Sequence, residues 1–414
     1  MSSYTILTIL ICLSAFFAYV NHRFIRMPFV IGLFFLSTIL SLVILSSKLW
    51  LPIPYSQLKA IVEQADISKY ILDIMLGFLL FAGSLHTSWS DIRQQWRQVT
   101  LLAVGGVLVS TVIIGSLFYG VTVLLHMEID IIYCFLFGAL ISPTDPIAVI
   151  GILTKANVPK KIETVIVAES LFNDGVGVVT FVALLEIARA GGGSFSVSHF
   201  GMLFCQEAVG GILFGLALGL ILHYIMRSID HYDTEVLLTI AFVMAGYSAA
   251  NALHVSGALA MVIMGLMVGN YKTDDVMSDV SHEYITKFWE LLDVILNAVL
   301  FILIAFVLVV IEFHTRYVIA GAVAVVIVLL SRVVIVYAPK LITPRLIPYD
   351  HAEVRLIVWG GLRGGLSIAM ALSLPESEAR HPVLIATYFC VLFSILVQGL
   401  TVERFAKAAT KPTA

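Results

Sequence analysis

The chain is a succession of apolar stretches, each roughly 17 to 28 residues long, separated by short polar segments. A stretch of about 20 apolar residues wound as a helix crosses the hydrocarbon of a bilayer. In lipid every backbone amide and carbonyl must find its partner inside the protein, so only helices and closed barrels can span. A barrel would show short segments of alternating hydrophobicity, whereas these runs are continuous. Composition agrees: 60% of the 414 residues are hydrophobic and 12% charged, and the mean hydropathy is +1.02. The expected fold class is an all-α polytopic membrane protein.

Hydropathy and loop signals divide it into about thirteen transmembrane helices: 4–20, 29–46, 69–86, 99–125, 131–153, 162–189, 199–226, 235–252, 254–271, 287–311, 317–338, 354–374 and 382–402. The first lacks a basic region before it and a cleavage site after it, and is read as a retained helix. Lys and Arg set the orientation. One side carries Arg23, Arg26, Arg93, Arg97, Lys155, Lys160, Lys161, Arg227, Arg345 and Arg404, among others. The other carries Lys48, Lys59, Lys69, Arg189, Arg316 and Arg380. The richer side is assigned to the cytoplasm, which places the N-terminus outside and the C-terminus inside, with a bacterial inner membrane as the expected location.

Other classes lose ground on the same reading. A net charge of −3 with no long basic run gives no footprint for nucleic acid. Cys12, Cys134, Cys205 and Cys390 lie in apolar stretches without metal-ligand or redox spacing, as packing residues do. The loops leave no room for a nucleotide-binding domain, no GxxxxGK[ST] motif occurs, and no cofactor is expected. "RAGGGSFS" after the sixth span reads as a flexible connector, and "LWLPIPYSQLKAIVEQADIS" as the longest polar loop.

Charges at bilayer depth are costly and therefore functional candidates. In "FGALISPTDPIAVIGIL", Pro143 and Pro146 deny helical hydrogen bonds and disfavour helix at the residues before them, so the fifth span should break around Thr144 and Asp145. A broken helix is tolerated there only where it lines a polar cavity or is buried in protein, and its ends offer oriented dipoles to an ion. A simple cap by Asp145 is the plainer alternative. In "AESLFNDGVG", Ser170 and Asp174 share one helical face and Glu169 and Asn173 a neighbouring one. Asp174, Ser170 and Thr144 offer hard oxygen ligands for a small cation. Gly175 and Gly177 allow a neighbour to come close.

In "GGLRGGLS", Gly360, Gly361, Gly364 and Gly365 weaken the helix around Arg363, so the twelfth span should break as well. Arg363 is read as the basic residue near mid-membrane. Which carboxylate it faces is open from the residues, although pairing it with Glu169 leaves Asp174 free to titrate. The two breaks lie seven spans apart, so their helices run in opposite directions, as inverted-topology repeats with two broken, crossing helices require. Asp73, Glu186, Glu207, Glu290, Asp293 and Arg332 fall nearer span ends, where snorkelling and interfacial pairing account for them. His254 opens a span and is read chiefly as interfacial.

With "ISPTDPIAV", "AESLFNDGVG", "HVSGALAMVIMGLMVGN" and "GGLRGGLSIAMALSLP" in this order, the sequence resembles the NhaP-type sodium/proton antiporters, kin of the sodium/hydrogen exchangers. The resemblance implies a homodimer, with core helices around 99–190 and 317–402, dimerisation helices around 4–86 and 235–311, and a linking helix at 199–226. It implies that Asp174 carries the proton or Na+, with Thr144, Asp145 and Ser170 at the ion site. It also implies that Asn173 marks electroneutral exchange and that Glu169 and Arg363 form a stabilising ion pair. Relatives with an acid in the third helix differ from this chain, which has Ala82 there.

The expected mechanism is exchange of a monovalent cation (Na+, with Li+ or K+ as alternatives) for a proton at one carboxylate. A cation channel and an intramembrane aspartyl protease are the rivals. The protease is disfavoured because Asp145 sits in a Pro-bracketed break.

Overall fold

The computed structural model describes residues 3–47, 69–189, 197–271, 277–311 and 313–410. The 48–68 loop, the 190–196 connector and Lys272 lie outside the described residues. Among the described residues all regular structure is helical. The elements are α1 (Tyr4–Ile25), α2 (Phe29–Ser47), α3 (Ile71–Leu85), α4 (Trp96–Leu124), α5 (Ile131–Ile141), α6 (Ile147–Lys155), α7 (Lys160–Arg189) and α8 (Val197–Met226). They continue with α9 (Tyr232–Ala252), α10 (Gly257–Gly269), α11 (Asp279–Val310), α12 (Thr315–Ile342), α13 (His351–Trp359), α14 (Gly365–Leu372) and α15 (Arg380–Ala409). Nine of these are long and apolar enough to cross a membrane.

Local chemistry sets the ends. Asp130 accepts from the Ile132 amide at 3.2 Å to start α5, and Ser256 accepts from Leu259 at 3.2 Å to start α10. Asp350 and Glu353 form a reciprocal capping box at the start of α13, with both bonds at 2.7 Å. These caps satisfy amides that the first turn leaves without partners.

The two expected breaks are present. The fifth span divides into α5 and α6 around 142–146, and the twelfth into α13 and α14 around 360–364. α7 runs without interruption past both and packs against α5, α6, α13 and α14. Around this centre, α4 and α12 pack together, and α12 packs on α15. α3, α10 and α8 form a neighbouring layer, while α11 packs on α2. α11 also touches α14 and α3, so it forms the opposite wall of the space beside the breaks. α1, α8 and α9 keep most of their apolar side chains on the outside, as lipid-facing or subunit-facing helices do.

Candidate functional site

The two breaks are held by each other. The Asp145 amide donates to the Leu362 carbonyl at 2.8 Å, joining one broken helix directly to the other. Arg363 Nη1 donates to the Pro143 carbonyl at 2.9 Å and also to the Ser142 carbonyl. Those carbonyls stand at the C-terminal end of α5, where the helix supplies no amide for them and its dipole favours a cation. The Arg363 amide in turn donates to Ser394 Oγ at 2.7 Å, and Ser394 donates to Gln398 on α15. Backbone groups stripped of helical partners at bilayer depth are thereby satisfied from within the protein.

Close approach makes this crossing possible. At Gly364 an added Cβ would stand 2.6 Å from the Asp145 Cβ, nearer than two carbons can sit. At Gly177 on α7 it would meet the Pro143 ring, with Cδ 3.0 Å away. Gly361 belongs to the same break as Gly364, and Pro146 stands as the N-cap of α6, with no side-chain acceptor of its own.

α7 adds the side chains. The Thr144 amide donates to Asn173 Oδ1 at 3.1 Å, and Asn173 Nδ2 donates to Thr144 Oγ1 at 2.8 Å. The Thr144 and Ser170 hydroxyls share a further bond of 2.8 Å. Thr144, Ser170 and Asn173 are all buried. Asn173 therefore uses both ends of its amide to fasten the unwound segment to α7. Asp174, the next residue, turns to the other side and is half-buried. Its carboxylate has no hydrogen-bond or ion-pair partner among the described residues. It lines a cavity of about 710 Å³ together with Thr144 and Asp145.

One expected pairing is corrected. Glu169 is paired with Arg332 on α12, not with Arg363. The contact is two-pronged: Arg332 Nη1 donates to Glu169 Oε1, and Nη2 donates to Oε2 at 3.0 Å. Arg332 Nη2 also reaches the Ile357 carbonyl on α13 at 3.1 Å. Both side chains are buried. The bidentate fork suits a carboxylate, and desolvation removes competition from water. Arg332 lies well inside α12, whose ends extend beyond the span expected for it, so two buried arginines rather than one serve the centre. Arg363 is left to brace the α5 carbonyls.

The cavity also brings in residues that hydropathy assigned to span ends. α11 contributes Glu290, Asp293 and Asn297 to its lining, opposite Asp145 and Asp174. Ala82 is buried and is not among the lining residues, although its helix contributes Leu79, Leu80, Gly83 and His86. The cavity continues to Ser88, Asp91, Lys160 and Glu163, at the surface where α3 ends and α7 begins. The signal the sequence does carry is the spacing of Glu290, Asp293 and Asn297, three and four residues apart, which puts three polar side chains on one face of an otherwise apolar helix.

A carboxylate without a partner among the described residues, lining a cavity beside a second carboxylate and the Thr144 hydroxyl, can accept a proton or a small hard cation. Comparison with known proteins gives the same direction. The family profile described as "Sodium/hydrogen exchanger, transmembrane" matches residues 12–408. The chain belongs to that family. Its relatives include the Na(+)/H(+) antiporter NhaP of Pseudomonas aeruginosa, 45% identical over 397 residues, covering 95% of this chain and 93% of that protein. The Na(+)/H(+) antiporter NhaH of Halobacillus dabanensis is 35% identical over 363 residues, covering 86% and 87%. Among solved structures, the sodium proton antiporter MjNhaP1 from Methanocaldococcus jannaschii at pH 8 superposes with a TM-score of 0.76 over 99% of both chains. At 20% identity that likeness speaks for the fold, which is the antiporter fold that the broken helices foreshadow.

Proposed function

We propose that this family member is a secondary active antiporter that exchanges Na+ for protons across a bacterial inner membrane, one for one. The observation that carries the reading is the carboxylate of Asp174, without a partner among the described residues, between the crossed breaks and in a cavity that reaches one surface. A negative group that holds either one proton or one monovalent cation couples the two by competition. With Asn173 engaged on Thr144, the position before Asp174 adds no charge, and Asp145 keeps one charge state through the cycle, so the proton-loaded and cation-loaded sites carry the same charge and the exchange is electroneutral.

In this reading Asp145 and the Thr144 and Ser170 hydroxyls complete the cation's oxygen ligands. Glu169 with Arg332, and Arg363 with the α5 carbonyls, hold the geometry without titrating in the cycle. The cavity opens at Lys160, where α6 ends at Lys155 and α7 begins, on the side assigned to the cytoplasm, so this conformation faces inward. The outward-facing state forms when the core helices around 99–190 and 317–402 rock as a body against those around 4–86 and 235–311. The latter set supplies the dimer contact, and α8 is the link. Li+ is accepted alongside Na+ because both are small hard cations.

Purified protein in liposomes with a pH-sensitive dye inside tests this. Na+ added outside moves the internal pH in the wild type without generating a membrane potential. Asp174→Asn is silent at every Na+ concentration. Normal exchange by Asp174→Asn removes the assigned site, and a Na+-driven potential in the wild type removes the one-for-one stoichiometry.

A further inference from the structure

The α11 wall of the cavity contains a second arrangement of oxygen ligands that the Asp174 site does not use. Glu290, Asp293 and Asn297 follow one another at spacings of three and four residues, so they lie along one face of the helix. At 1.5 Å per residue they are stationed about 4.5 Å and 6 Å apart along the axis. All three line the cavity that also holds Asp145 and Asp174.

Asp293 is not a loose surface acid. Asn297 Nδ2 donates to Asp293 Oδ1 at 3.0 Å and to the Asp293 carbonyl at 2.9 Å, which fixes the carboxylate against its own helix. Those two bonds also fix the Asn297 amide, and they direct its Oδ1 away from Asp293. Asn297 is only 1% exposed, and its Oδ1 has no hydrogen-bond partner. A buried carbonyl oxygen without a donor is an unsatisfied group that a cation or its water can satisfy. Asp293 is half-buried and Glu290 exposed, so burial deepens along the face from Glu290 to Asn297.

We propose that Asp293, oriented by Asn297, is a second and weaker cation station, through which the transported monovalent cation passes between the mouth of the cavity and Asp174. The station rests on the reading of this chain as a cation/proton exchanger. Its ligands are the Asp293 carboxylate and water, with the Asn297 Oδ1 accepting from that water and Glu290 one turn nearer the mouth. Because it stands on α11 and Asp174 on α7, motion of the core against α11 separates the two, and the station serves the inward-facing state alone. It collects the cation from solution; Asp174 carries it.

Exchange in liposomes, with Na+ presented from the cavity side, tests the station. The Asp293→Asn carboxamide keeps the shape of the carboxylate and the bond from Asn297 can be remade at its Oδ1. Its apparent KM for Na+ is expected to rise about ten-fold, with the rate at saturating Na+ kept within about three-fold. Asp293→Glu recovers most of the KM, and Na+ presented from the opposite side shows the wild-type KM. Binding of radioactive Na+ gives a readout independent of transport: Asp174→Asn keeps a weak component that Asp174→Asn/Asp293→Asn loses.

A KM change below about two-fold overturns the station while leaving Asp174 as the exchange site. Loss of flux at every Na+ concentration, in Asp293→Asn that remains monodisperse with the wild-type melting temperature, also overturns it, since Asp293 would then be obligatory. If the wild type moves no protons in response to Na+, the exchanger reading falls and the station with it.

Discussion

Glu169 is a buried charge whose side chain is committed to a partner within the protein. Its two oxygens are both taken by the Arg332 fork, and that guanidinium also reaches the Ile357 carbonyl, so the pair ties α7, α12 and α13 together. Taking one partner away leaves the other as an uncompensated buried charge, at a cost of about 3–5 kcal/mol. Arg332→Leu is therefore expected to lower the melting temperature in detergent markedly and to reduce the yield of folded protein. Arg332→Lys recovers part of the loss, because an ammonium is a point donor and cannot occupy both oxygens as the fork does. Glu169→Leu/Arg332→Leu recovers more than Arg332→Leu alone, stopping short of wild type because the Ile357 carbonyl loses its donor. An Arg332→Leu protein that melts with the wild type would make the pair dispensable.

At the scale of elements, the crossing depends on two unwound segments touching, and small residues decide whether they can. Gly177→Leu places a side chain in the space of the Pro143 ring, and Pro143 supplies a carbonyl that Arg363 holds. Exchange is expected to fall on the order of a hundred-fold through displacement of Thr144 and Asp145, with the protein still inserted. Gly120→Leu on α4 is the matched control, since a Cβ there meets nothing within 4 Å. Equal activities of the two variants in the liposome assay would dissociate the crossing from transport.

The same elements show what a sequence carries. Both breaks were legible because proline and clustered glycine act through the local backbone, as at Pro143, Pro146 and Gly364. The ends of α7 and α9 were legible to within a few residues because hydropathy changes sharply there. The partner of Glu169 was not, since Arg332 is 163 residues away and only packing selects it over Arg363. Asp293 reads as lying toward a span end, six residues into the expected 287–311 run, and what brings it to the site is a cavity that reaches this face of α11. The cavity that gives this acid access to water belongs to several helices, and no one helix encodes it.

For the whole molecule, the proposed exchange requires that the centre open to one surface at a time. In the present conformation the route runs between α3, α7 and α11, and the α11 face that carries Glu290 and Asp293 also presents Val294 to the cavity. A cysteine at this position reports which side is open. Cys134 and Cys390 are buried, whereas Cys12 and Cys205 are exposed and have to be replaced by serine first. In that background Val294→Cys is expected to react with a membrane-impermeant thiol reagent in inside-out vesicles and to react much more slowly in right-side-out ones. A pore open along its length would admit the reagent from both sides, and equal labelling would favour the channel over the exchanger. In the proposed cycle saturating Na+ changes the rate from the open side, with loading of Asp174 letting the core move and carry the cavity away from α11. A rate indifferent to Na+, measured at a pH where the site is left unprotonated, would count against coupling between occupancy of the site and position of the core.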